Sequence, residues 1–170
     1  MGSFMVIMFA GKAGAGKDTA AAIVQEFVSN AYRYAFAQKV KEIASDCYGW
    51  DGVKDEKGRR LLQNIGRTGR EYDPKLWIDD CINRISLNSN IALITDLRFR
   101  NEMDSIKKVY PNTKVVLVRG RASDLGSNSG DISEHDLDGF SDFDYVLDNS
   151  GTIEELRKQV AFMVEKFGIA

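Results

Sequence analysis

Two hydrophobic periods alternate along the chain. Phe4-Met5-Val6-Ile7-Met8-Phe9-Ala10 is an unbroken apolar run, the pattern of a strand buried on both faces. Ile91–Thr95 and Lys114–Val118 repeat it, and Tyr32–Phe36 and Tyr145–Leu147 are shorter strand candidates. Between them the period changes to that of a helix. Ala20, Ile23, Val24, Phe27 and Val28 share one helical face, as do Val40, Ile43, Ala44 and Cys47 before Gly49. A polar loop is expected over 51–58, and Leu61, Leu62 and Ile65 predict a helix that ends at Gly66. Asp73-Pro74 supplies an N-cap and N1 pair for a helix carrying Trp77, Ile78, Cys81, Ile82 and Ile85. Met103, Ile106 and Val109 predict another helix, stopped by Pro111. Thr152-Ile153-Glu154-Glu155 is a capping box opening a last helix with Ile153, Leu156, Val160, Met163 and Phe167 inward. Five short strands alternating with helices predict an α/β domain, a mostly parallel sheet covered by helices on both faces.

The link between the first strand and the first helix carries the strongest chemical signal. It reads Gly11-Lys12-Ala13-Gly14-Ala15-Gly16-Lys17-Asp18-Thr19. Three glycines let the backbone curl so that several N–H groups point inward, and the helix N-terminus adds partial positive charge. Lys17 brings a mobile full charge for the outer phosphates of a nucleotide. Strand, glycine loop and helix in this order form a phosphate-binding loop, with Asp18 where serine or threonine is usual.

Composition narrows the class. The chain has 170 residues, enough for one domain with a sizeable core, and is 44% hydrophobic and 28% charged with net charge −2. No basic excess points to nucleic acid, and no apolar run reaches a membrane-spanning length. Cys47 and Cys81 fall on apolar helix faces, where reduced core thiols and a cytoplasmic setting are expected. A single histidine, His135, argues against a histidine-rich metal site or a Ser-His-Asp triad. No Asn-Lys dipeptide exists to read guanine, so a GTPase is disfavoured.

Polar residues after the other strands suggest a small kinase. Arg60, Gln63, Asn64 and Arg67 form one helical stripe with no carboxylate among them. Guanidiniums grip phosphate bidentately and carboxamides read a base edge; the same spacing also suits a solvated face. Asp96 ends the strand Ile91–Thr95 and Arg98 follows, at the sheet edge where ligands bind in open parallel folds. They suit a water-mediated magnesium contact and a phosphate, or a local ion pair. Arg119 and Arg121 open the aperiodic segment 119–140, where a closing lid is expected.

With these residues assembled, the chain resembles the bacteriophage-type deoxynucleoside monophosphate kinases of the P-loop kinase superfamily. The matching stretches are GKAGAGKDT (11–19), Phe36-Ala37 with Lys41, GRRLLQNIG (58–66), Trp77, TDLRFRNE (95–102), Ser133-Glu134 and LDNSGTIEEL (147–156). The resemblance implies a three-layer P-loop kinase domain over 1–170, with an acceptor-binding region at about 37–90 and a lid at about 119–140. It implies transfer of the ATP γ-phosphoryl group to a deoxynucleoside monophosphate, with Mg²⁺ required, in deoxynucleotide supply for phage replication in the host cytoplasm. Gly11, Lys12, Ala13, Gly14, Ala15, Gly16, Lys17, Asp18, Thr19 and Arg119 are then the ATP residues. Phe36, Lys41, Arg60, Gln63, Arg67, Trp77, Asp96, Arg98 and Glu134 are the acceptor residues. Lys17, Asp18, Arg98 and Arg121 are the catalytic candidates, and Asp18, Thr19 and Asp96 the candidate magnesium ligands. Two other readings stay open: a P-loop kinase for another phosphorylated acceptor, of phosphomevalonate type, and a nucleotide-dependent regulatory or nucleic-acid-binding module without phosphotransfer. No nucleic-acid or membrane partner is expected, and a homodimer through the helices of Trp77 or Phe167 is one option.

Overall fold

The computed structural model describes residues 4–87, 91–120, 136–137 and 139–170. Five strands, β1 (Val6–Ala10), β2 (Ala31–Tyr34), β3 (Ile91–Ile94), β4 (Thr113–Arg119) and β5 (Tyr145–Asp148), make one parallel sheet in the order β2-β3-β1-β4-β5. Six helices accompany them: α1 (Lys17–Phe27), α2 (Gln38–Tyr48), α3 (Glu56–Tyr72), α4 (Leu76–Ser86), α5 (Arg100–Val109) and α6 (Ile153–Lys166). β1 is central, paired to β3 through Ile7↔Leu93 and to β4 through Ile7↔Lys114. The chain thus leaves β1 toward one side of the sheet and later continues on the other. The crevice at the carboxyl end of such a strand is where open α/β sheets bind ligands.

The chain forms two compact units, Met1–Arg33 with Ser89–Ala170, and Tyr34–Asn88. In the first, every residue of β1 is buried. Ile7 and Phe9 pack with Ala20, Ile23 and Val24 of α1 and Leu156, Val160 and Met163 of α6, while Val6 and Met8 are buried outside that cluster. A fully buried side chain of this size contributes ~1.5–3 kcal/mol, so the run that predicts β1 also anchors the fold. Thr152 accepts from the Glu155 amide, and Glu155 accepts from the Thr152 amide, completing the capping box of α6.

The second unit contains α2, α3 and α4, which pack on one another. Arg84 of α4 holds both oxygens of Glu42 on α2, at 3.1 and 2.9 Å, and Asp80 at 2.7 Å. These contacts hold the Glu42 carboxyl below its usual range and raise the Arg84 guanidinium.

Three expectations for this unit are corrected. α3 does not end at Gly66; it runs on to Tyr72. Gly66 and Gly69 are buried because the indole of Trp77 lies against them: its N–H donates to the Gly66 carbonyl at 2.9 Å, and a Cβ on Gly69 would stand 2.2 Å from the ring. Gly69 marks close packing, and Gly66 does not stop the helix. α4 begins at Leu76, because Asp73 is spent on a turn in which its carboxylate accepts from the Lys75 amide at 3.0 Å. Cys47 is exposed; Cys81 is buried as expected.

Candidate functional site

The glycine loop leaves β1 at Ala10 and enters α1 at Lys17. Gly11, Gly14 and Gly16 have φ of 153°, 79° and 103°, conformations that exclude most side chains. Space excludes them as well. A Cβ on Gly11 would lie 2.4 Å from the Val118 carbonyl oxygen of β4, and one on Gly16 would lie 2.2 Å from the amide nitrogen of Asn149. Gly16 caps α1 without a side chain, so no capping group from that position competes for the first-turn amides. Lys17 is half-buried and turns back along the loop, its Nζ donating to the Gly11 carbonyl at 2.6 Å. Backbone donors, a helix terminus and one cation so arranged are suited to receive an anion.

Asn149 holds the loop from outside. It directly follows β5, its own N–H donates to the Arg119 carbonyl at 2.7 Å, and its side-chain amide donates to the Ala15 carbonyl at 3.0 Å. The adjacent Asp148 accepts from Ser150, whose hydroxyl and amide keep its carboxyl below the ordinary range, with Arg119 adding a smaller effect. Gln159 of α6 closes both backbone groups of Asp148, at 2.7 Å each. The sequence stretch 147–156 contains Asn149, but nothing local to it signals a contact 134 residues away.

At the end of β3, Thr95 and Leu97 are buried while Asp96 and Arg98 are half-buried, an alternation that turns the two charged residues to the other side. Glu102, itself buried on α5, reaches back and accepts from the Arg98 and Phe99 amides at 2.9 Å each. The TDLRFRNE stretch therefore contains its own brace, which fixes the backbone from which Arg98 projects. Arg119 is exposed at the end of β4, beside Val118 against which Gly11 packs. Arg121 and Glu134 lie outside the described residues.

Asp18 stands in the first turn of α1 and forms an ion pair with Arg33 of β2, a residue the sequence analysis does not single out. The same guanidinium nitrogen is 3.4 Å from the Thr95 hydroxyl. The available signal is slight: an arginine between two tyrosines in a short strand. Thr19 is exposed next to Asp18. Among the described residues no group of three or more His, Cys, Asp or Glu converges to hold a metal. One or two carboxylates with hydroxyls nearby suit Mg²⁺, which keeps several waters and shares phosphate oxygens, better than an ion needing an all-protein cage.

In the Tyr34–Asn88 unit, Phe36 is buried, Lys41 and Gln63 are half-buried, and Arg60 and Arg67 are exposed on α3. The stripe is not free of carboxylates: Glu56, one turn earlier, lies 3.3 Å from Arg60. Arg67 donates to Asn64. Both pairs are solvated, and an exposed pair of this kind is worth only ~0.2–1 kcal/mol, so neither prevents a ligand from exchanging it. Trp77 is buried between α3 and α4 with its N–H satisfied.

No protein-family model matches the sequence. An uncharacterized protein, ORF76, of Ictalurid herpesvirus 1 (strain Auburn) is 25% identical over 152 residues, covering 87% of this chain and 62% of that protein. The chain thus spans less than two thirds of that relative. Among solved structures, TT1252 from Thermus thermophilus superposes with a TM-score of 0.60 at 14% identity, covering 97% of this chain and 98% of that one. Shikimate kinase from Aquifex aeolicus gives 0.59 at 16% identity, with 97% and 99% covered. The APS kinase CysC of Mycobacterium tuberculosis, in complex with AMPPNP and APS, gives 0.50 at 14% identity, with 97% and 99% covered. Among the described residues no helix is long and apolar enough to cross a membrane. Its parallel sheet, strand order and glycine loop, together with these superpositions, give the chain the fold of the P-loop kinases.

Proposed function

We propose that the protein is a deoxynucleoside monophosphate kinase, transferring the γ-phosphoryl group of ATP to a dNMP to give dNDP and ADP. The observation that carries this reading is the glycine loop at the carboxyl end of β1, with Lys17 folded onto it, and with Asp96 and a braced Arg98 following β3. In the transfer, the α1 amides and Lys17 hold the outer phosphates of ATP, Lys17 exchanging the Gly11 carbonyl for a phosphate oxygen. Arg98 meets charge that develops on the moving group, and an arginine in that role is worth ~10³–10⁵ in rate. Mg²⁺, when bound, neutralises charge on the β- and γ-phosphates; Asp18, Thr19 and Asp96 are the residues that would hold it, directly or through water. Phe36, Lys41, Arg60, Gln63, Arg67 and Trp77 are assigned to the acceptor, Trp77 by shaping α3 and α4. The acceptor phosphate is already an anion near neutral pH, so no strong general base is needed. Glu134 and the lid arginines Arg119 and Arg121 complete the assignment. The likeness to a herpesviral protein supports a viral setting, with the product serving DNA replication.

A second reading is transfer to another small phosphorylated acceptor, of phosphomevalonate type, which the same loop and Lys17 would serve equally. One experiment separates the two: ADP release from ATP and Mg²⁺ with each of dAMP, dGMP, dCMP, dTMP and their ribose counterparts. Stimulation by at least one deoxynucleotide is expected. Equal rates with and without every nucleotide acceptor would overturn the assignment.

The loop's outer strap gives a second expectation. Asn149→Ala removes one hydrogen bond of net worth ~0.5–1.5 kcal/mol from the loop backbone, so nucleotide affinity should fall by about 2- to 10-fold. Titration with a fluorescent ADP analogue reads this directly, and unchanged affinity would show that the loop holds its shape without the strap.

A further inference from the structure

In this chain the residue after the loop lysine is a carboxylate, and a carboxylate beside a phosphate site is a physical problem. Without a cation, Asp18 would repel the same phosphates that the loop amides and Lys17 attract. The structure contains an answer. β2 is two places from β1 in the sheet, with β3 between them, so a side chain from β2 must cross the carboxyl end of β3 to reach α1. At ~4.8 Å between neighbouring strands, that span asks for a long side chain. Arg33 makes the crossing: one guanidinium nitrogen lies 3.4 Å from the Thr95 hydroxyl at the end of β3 and pairs with Asp18 in the first turn of α1. A positive charge therefore already occupies the space between the loop carboxylate and the end of β3.

We propose that Arg33 is the resident counter-cation of Asp18, which keeps the loop receptive to nucleotide without metal and must be displaced when a divalent ion enters with the phosphates. This rests on the reading of the loop as a Mg²⁺–nucleotide site. The guanidinium and the metal compete for one carboxylate, so Arg33 sets how strongly nucleotide binding depends on magnesium. The pair is suited to exchange, since both side chains reach solvent, Asp18 at 77% and Arg33 at 38% of full exposure.

The test compares affinities for N-methylanthraniloyl-ADP in EDTA and in saturating Mg²⁺. In Arg33→Gln the uncompensated carboxylate should weaken metal-free binding while the metal meets no competitor. The ratio of the two affinities should therefore rise about two- to five-fold over wild type, the range of an exposed ion pair. In an Asp18→Asn background the ratio should be the same with arginine or glutamine at position 33. Arg33→Lys, which keeps the charge, should stay closer to wild type than Arg33→Gln. A ratio unmoved by Arg33→Gln, or moved equally in the Asp18→Asn background, would overturn the proposal while leaving the nucleotide site standing. Failure of the wild-type protein to bind the analogue under either condition would overturn the site itself, and the proposal with it.

Discussion

Lys17→Ala is expected to lower ADP formation by ~10²–10³-fold, the cost of removing one preorganised donor from a developing charge, while leaving the fold in place. Two observations separate the effects. Lys17 is half-buried at the mouth of the loop, and the contact it makes there, to the Gly11 carbonyl, is one that water can take over. The loop itself is shaped by residues the substitution does not touch: positive-φ glycines at 11, 14 and 16, close packing of Gly11 on β4, and the Asn149 strap. Steady-state ADP release and a thermal melt on the same sample check the expectation. If activity falls only as far as the melt is lowered, Lys17 is a structural residue and the phosphate assignment fails. A fall in activity with an unchanged melt supports it.

The second large effect is on stability, and it opposes two glycines three residues apart in one helix. Gly69→Ala places a methyl group 2.2 Å from the Trp77 ring, and the indole is a buried, rigid ring tied by its N–H to Gly66. Alanine would gain ~1 kcal/mol of helix propensity, but overpacking of this kind costs ~1–3 kcal/mol and the closeness of the approach puts it at the upper end. A net loss of ~1–2 kcal/mol is expected, seen as a lower denaturation midpoint. Gly66→Ala meets instead the flexible end of Arg70 at 3.1 Å, which can swing aside. It should be neutral or stabilising by up to ~1 kcal/mol. Chemical denaturation of both variants decides the matter; equal destabilisation would mean that the indole does not discriminate between the two positions.

These glycines also show where sequence reading loses its hold. Local propensity treats a glycine after an apolar trio as a helix end, yet the helix continues past Gly66 to Tyr72, and it is Gly69, three residues on, that the packing of Trp77 keeps without a side chain. The parts that were legible are those whose signals are local. A continuous apolar run specifies β1, the Thr152 and Glu155 pair specifies the start of α6, and three glycines before Lys17 specify the loop. Cys47 is exposed although its periodicity points inward, because α2 buries only Val40 and Ala44 and its apolar face is narrow. The sequence does not single out Arg33, and it contains Asn149 only as one residue of the stretch 147–156, with no role attached. Each acts on the loop from a distant segment, and a single sequence carries no record of which strand ends meet. Glu102 is intermediate: its place in the TDLRFRNE stretch was noted, but its action on the Arg98 amide follows only from the chain's turn into α5.

The bond from Asn149 to Ala15 joins residues 134 positions apart in the chain. During synthesis the glycine loop emerges 134 residues before the residue that steadies it. Contacts of such long sequence separation form slowly, because much chain must be ordered before they are rewarded. The final shape of the glycine loop is therefore reached only after β5 has joined the sheet. A chain that has not yet reached β5 carries its loop without that strap.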